Sequence, residues 1–121
     1  MRKEINTIIF VDDDKIQHMI NRKNMIRVRP DLELKFFDDP FSALNWLETE
    51  TADLLLLDIN MPEMSGWEFL ELLNQKNINI DVNMLSSSMD PDDLARSQDF
   101  DLVTGFLIKP LGIDIIEELL K

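Results

Sequence analysis

Ala52-Asp53-Leu54-Leu55-Leu56-Leu57-Asp58-Ile59 carries four leucines in a row and then a carboxylate. Successive side chains of a strand point to opposite faces. A strand with one wet face therefore alternates apolar and polar residues, and this stretch does not. A continuous apolar run marks a central strand covered on both sides, as in parallel sheets. Parallel neighbours need a crossover between them, usually a helix. The chain on either side of this run should therefore alternate strand and helix.

Upstream, "INTIIFV" (5–11) is a second buried-strand pattern. From Asp14 the period changes, and Ile16, Met19, Ile20 and Ile26 fall close to one helical face. "LELKFF" (32–37) reads as a strand. Asp39-Pro40 is a helix start, a cap followed by proline at the first helical position. Ala43, Leu44 and Leu47 then line one face. Downstream, Gly66 opens a helix whose stripe is Phe69, Leu70 and Leu73. "INIDVNML" (78–85) is a fourth strand, and a short helix follows Pro91 through about Gln98. "TGFLI" (104–108) is a fifth strand. "LGIDIIEELLK" (111–121) is a closing helix with Ile115, Ile116, Leu119 and Leu120 apolar. Five strand-then-helix units predict an α/β fold, a five-stranded parallel sheet doubly wound by five helices. The expected strand order is the flavodoxin-like 2-1-3-4-5. No repeat, low-complexity tract or linker interrupts it, so residues 1–121 read as one domain.

In such a fold ligands bind outside the carboxyl ends of the strands. The first strand ends in Asp12, Asp13 and Asp14, and the third in Asp58 followed by Asn60. The fourth ends in Ser86, Ser87 and Ser88, and the fifth in Lys109-Pro110. Strand 2 ends in Asp38 and Asp39, which read mainly as helix capping. Strands 1 and 3 are neighbours in this order, so Asp12, Asp13 and Asp58 converge, with Lys109 and Ser86 opposite. Converging carboxylates are tolerable beside a hard divalent cation, and magnesium is content with one or two carboxylates plus water and phosphate oxygens.

The net charge of −12 repels phosphate backbones, so direct nucleic-acid binding is not expected. It suits cation binding or a basic protein partner. The chain has no cysteine, which excludes thiolate zinc and cysteine nucleophiles. No apolar run approaches a membrane span, and "MRKEINTI" has no signal-peptide pattern, so the expected setting is the cytoplasm.

Together "FVDDD", "LLLLDINMPEMSGWEFL", "MLSSS" and "GFLIKPL", in this order and each at a strand end, resemble the receiver domain of bacterial two-component response regulators. The single-domain CheY-like type is the nearest in form, and the likeness covers essentially the whole chain. It implies that Asp58 is the phosphoacceptor, taking a phosphoryl group from a sensor histidine kinase or a histidine phosphotransfer protein. It implies Mg²⁺ held by Asp13 directly, by Asp12 largely through water, by Asp58 and by the backbone carbonyl of Asn60. Lys109 would pair with Asp58 and then with the phosphoryl group, Ser86 would hydrogen-bond that group, and Phe106 would be the aromatic switch. Pro62 and Gly66 would shape the loop and helix after Asp58, and the Lys109-Pro110 peptide would be cis. Phosphorylation would change a binding surface for an unknown downstream protein partner, with loss of the phosphoryl group catalysed by the domain itself.

Other residues carry plainer readings. Asp14 is a helix cap or first-turn acid. His18, the only histidine, lies off the apolar stripe and reads as surface. Ser87 and Ser88 serve the loop and the next helix cap. The acids of "MDPDDLARSQDFD" read as a solvated face, and Trp46 and Trp67 as packing or partly exposed residues. Two further functions compete. Asp12 and Asp14 have the two-residue spacing of an aspartyl-phosphate hydrolase, but that reading leaves "DINMPEMSG" unexplained. A fold kept only for protein binding would not need Asp12, Asp13, Asp58, Ser86 and Lys109 together.

Overall fold

The computed structural model describes residues 4–121. The elements alternate strictly: β1 (Thr7–Val11), α1 (Lys15–Val28), β2 (Glu33–Phe37), α2 (Pro40–Thr49), β3 (Leu54–Asp58), α3 (Gly66–Gln75), β4 (Asp81–Ser86), α4 (Pro91–Ser97), β5 (Val103–Ile108) and α5 (Ile113–Leu119). The strands form one parallel sheet in the order β2-β1-β3-β4-β5, as expected.

The leucine run divides as a pleated strand must. Leu55 and Leu57 face the core layer under α2 and α3, with Ile9, Val11, Leu70 and Met84. Leu54 and Leu56 face the other layer, with Ile8, Phe10, Met25 and Ile116. Burying a leucine fully stabilises by about 1.5–3 kcal/mol, so this strand alone anchors both layers.

Local chemistry sets the helix ends. Asp14 caps α1 by accepting from the backbone N–H groups of Ile16 and Gln17. Asp39 caps α2 ahead of Pro40, and Ser65 and Glu68 form a reciprocal capping box at α3. Asp90, not Ser88, caps α4, because its carboxylate accepts from Asp92 N–H. At the end of α3, Asn77 takes φ 57°, and Ile78 N–H returns to Leu73 C=O. That helix stop uses Ile78, so β4 begins at Asp81 and not at residue 78.

Helix α1 departs from the expected stripe. Ile16 and Met19 are 67% and 72% exposed, and Ile26 is exposed too. The helix instead buries Asn21 and Met25. Its turned-in face meets α5 and polar backbone, so an amide takes a position that an apolar period assigns to aliphatics. In α5, Ile116 is buried while Ile115 faces out.

Candidate functional site

The register of the sheet brings the predicted acids together. Phe10 pairs with Leu56 and Val11 with Leu57, so Asp12 and Asp58 leave adjacent strands at the same level. Asp12 N–H continues the ladder to Phe37 C=O at 3.1 Å. Both carboxylates are buried, at 1% and 3% exposure, while Asp13 is exposed. One oxygen from each of Asp12, Asp13 and Asp58 lies within 4.8 Å of the others, close enough to share a cation.

Lys109 completes the pocket. Its Nζ donates to Asp12 Oδ2 and to Asp58 Oδ1, each at 3.2 Å. The loop brings its own donors as well. Asp14 N–H reaches Asp12 Oδ1 at 2.9 Å, and Asn60 N–H reaches Asp58 Oδ1 at 3.3 Å. One ammonium cannot neutralise this many carboxylates. Burial, then the neighbouring Asp12 charge, push the Asp58 carboxyl up to about 6 despite the attraction of Lys109. For Lys109, burial works against the ammonium, but Asp58 and Asp12 outweigh it and raise its pKa. The site is thus short of positive charge, and its donor set of carboxylate oxygens suits a hard divalent ion.

Gly66 owes its place to this pocket. A Cβ there would stand 2.7 Å from the Asp58 carbonyl oxygen and 3.1 Å from Ile59 Cα. Gly66 N–H also donates to Ile59 C=O at 2.8 Å, which seats the start of α3 directly on the end of β3. Asn60 and Pro62 are exposed in the intervening loop. The Lys109-Pro110 peptide is cis, as the receiver resemblance implied.

Ser86 is buried at the end of β4, but its hydroxyl is turned into its own loop. It donates to Ser88 C=O at 2.7 Å and accepts from Ser88 N–H at 3.2 Å. Phe106 is half-buried, next to Met84 in the β4–β5 register, and packs against the α2/α3 core layer. Trp67 is buried and stacked on Phe100 at 5.9 Å, with Arg96 of α4 5.2 Å above its ring.

His18 is not a surface residue. It is half-buried, edge-on to Phe36 at 5.2 Å, and Nε2–H donates to Phe37 C=O at 3.2 Å. That is the carbonyl that also accepts from Asp12 N–H. The partner lies nineteen residues away, beyond the reach of helix periodicity.

An acid pocket at the carboxyl end of a doubly wound sheet, closed by a strand-end lysine, is the arrangement that the receiver resemblance implies. The response regulator receiver domain matches residues 8–121, and the chain belongs to that family. Its function is that of a receiver in two-component phosphorelay signalling. Among curated relatives, the cyclic di-GMP phosphodiesterase response regulator RpfG of Xanthomonas campestris is 33% identical over 86% of this chain and 28% of its own length. The transcriptional regulatory protein MalR of Bacillus subtilis is 31% identical over 88% of this chain and 45% of its own. The chain therefore spans less than half of either protein. A two-component response regulator from Cytophaga hutchinsonii has TM-score 0.86 and 28% identity, covering 97% of this chain and 95% of that one. The chemotaxis protein CheY4 of Vibrio cholerae shares the fold, with TM-score 0.79 and 23% identity over 96% of each chain. No helix of the described residues is long and apolar enough to cross a membrane.

Proposed function

We propose that residues 1–121 act as one receiver unit that takes a phosphoryl group on Asp58 and uses it to change a protein-binding surface. The observation that carries this is the pairing of Lys109 with Asp12 and Asp58 in one buried pocket. The donor is a phosphohistidine on a sensor kinase or a phosphotransfer protein. Asp58 attacks phosphorus, the O–P bond forms, the P–N bond breaks, and the imidazole leaves with a proton from solvent.

Asp12, Asp13, Asp58 and the Asn60 carbonyl would hold Mg²⁺. When bound, the ion supplies the positive charge that the phosphoryl oxygens and the acid pocket lack. Lys109 supplies the rest, moving from the carboxylates to a phosphoryl oxygen. Ser86 gives up Ser88 to donate to the phosphoryl group, and Phe106 follows into the space left behind. The β4–α4 loop then has two arrangements, which phosphorylation biases. Loss of the phosphoryl group is catalysed in the same pocket, so the domain turns over nothing but itself. The cytoplasm is the setting such a donor requires.

The hydrolase reading needs Asp14 as a second acid over the pocket. Its carboxylate is already spent on the first turn of α1. The test is intact mass after incubation with Mg²⁺ and acetyl phosphate, beside Asp58→Asn. One phosphoryl adduct, dependent on Mg²⁺ and absent in the variant, is the expected result. A label that survives in Asp58→Asn would overturn the assignment.

A further inference from the structure

Two asparagines on α1 grip the segment that follows Lys109. Asn21 and Leu111 are both fully buried. Leu111 N–H donates to Asn21 Oδ1 at a long 3.4 Å, and Asn24 Nδ2 donates to Leu111 C=O at 2.8 Å. Both polar groups of one residue are thus taken by one face of one helix. On the other side, Lys109 N–H donates to Ser86 C=O at 2.8 Å. Residues 109–111 are held at both ends, and the Lys109 side chain crosses from there to Asp12 and Asp58.

Apolar packing does not call for Asn21; its Oδ1 serves the buried Leu111 N–H. Asparagine is a poor helix former, and its Nδ2 is buried with no acceptor among the described residues. A leucine there would spare the orphaned Nδ2 but leave the buried Leu111 N–H without its acceptor. What the amide adds is a hold on the backbone of Leu111. The ammonium of lysine is a point charge on a flexible four-carbon stem, so its position depends on where the backbone is anchored.

We propose that Asn21 and Asn24 are positioning residues for phosphoryl uptake: their hold on Leu111 sets the Lys109 ammonium between Asp12 and Asp58. The inference rests on Asp58 being the acceptor. The hydrogen bonds of both asparagines go to Leu111 and not to the acids, so their effect on uptake is expected through the segment 109–111. Misplacing a charge-stabilising group slows the reaction without removing it.

The test is a set of variants: Asn21→Leu, Asn24→Ala, both together, and each in a Lys109→Ala background. Asn24 is half-buried, so Asn24→Ala keeps the test open should Asn21→Leu fail to fold. Uptake from acetyl phosphate with Mg²⁺ is the first readout. Labelling of the Lys109 amine by acetic anhydride in metal-free protein, relative to exposed Lys23 and Lys35, is the second. Uptake should slow by roughly threefold to tenfold, the scale of coupling between neighbours, and Lys109 labelling should rise. In Lys109→Ala the asparagine changes should slow uptake no further. A full additional loss in that background overturns the proposal, as does wild-type uptake with wild-type labelling. If the unmodified chain takes up no phosphoryl group, the acceptor reading fails by itself, and the labelling alone decides whether the asparagines hold Lys109.

Discussion

The hydroxyl of Ser86 and the backbone of Ser88 satisfy each other twice, donating at 2.7 Å and accepting at 3.2 Å. A phosphoryl group on Asp58 has to break this pair to gain the hydroxyl. The exchange costs little, because Ser88 is exposed and water can replace its partner. Ser86→Ala should therefore leave phosphoryl uptake nearly intact and cost about 1 kcal/mol of stability or less. It should abolish most of the response beyond the site. Amide shifts of residues 86–90 on phosphorylation measure this. Changes as large as in the parent chain would remove Ser86 from the switch.

The raised carboxyl of Asp58 makes a prediction about pH. Its ordinary value is 3.8, and in the fold it is pushed up to about 6. Between these values the folded chain binds a proton that the unfolded chain has released. Stability is therefore fully present below about pH 4 and is lost as pH rises through about 6. At 1.36 kcal/mol per unit the loss is on the order of 3 kcal/mol for metal-free protein, as an upper bound. Asp58→Asn should flatten this slope and raise the urea midpoint at pH 7.5. Mg²⁺ should stabilise the parent chain at pH 7.5, and much less at pH 5, where Asp58 is protonated. An unfolding curve for Asp58→Asn with the parent's pH slope would sink the assignment.

The architecture is readable because Leu54–Leu57 is too short and too evenly apolar for an amphipathic helix and suits a strand with two dry faces, and the rest follows from crossover geometry. The acid pocket was readable for the same reason. Once the strand order is known, Asp12, Asp58 and Lys109 must share one end of the sheet. The failures cluster on α1. Its exposed residues include Ile16, Met19 and Ile26, and its buried ones include Asn21. Periodicity assumes that burial follows hydrophobicity, and here an amide is buried because it holds the backbone of Leu111. His18 failed likewise, since its partner at Phe37 exists only after β2 lies beside β1. For Ser86, the sequence placed the hydroxyl at the right strand end. Its direction is fixed by a loop hydrogen bond that no spacing rule encodes.

Gly66 offers a test of how closely α3 must approach the acceptor strand. In Gly66→Ala the new Cβ meets the Asp58 carbonyl oxygen at 2.7 Å, and that neighbour is backbone. Either α3 retreats or the end of β3 shifts. Overpacking of this kind costs typically about 1–3 kcal/mol. A shift of β3 should also slow phosphoryl uptake more than the stability loss explains, because Asp58 itself then moves. Urea unfolding and acetyl phosphate kinetics on the same sample separate the two effects. Unchanged uptake in a destabilised but folded variant would show that the approach serves packing alone.

The exposed apolar residues of α1 predict which donors depend on this helix. Ile16 and Met19 lie three positions apart, one turn beyond the acid loop, with no packing role that accounts for them. A phosphohistidine borne on a protein must come within bonding distance of Asp58, and its surroundings are then expected to rest on the first two turns of α1. Acetyl phosphate makes no such contact. Ile16→Ser with Met19→Ser should leave uptake from acetyl phosphate unchanged, since neither side chain packs in the core. Transfer from any histidine donor that phosphorylates the parent chain should fall roughly tenfold, because truncating an apolar anchor at an interface costs more than about 1 kcal/mol. Equal losses with both donors would point to damage at the site. No loss with the protein donor would place its contacts elsewhere on the chain.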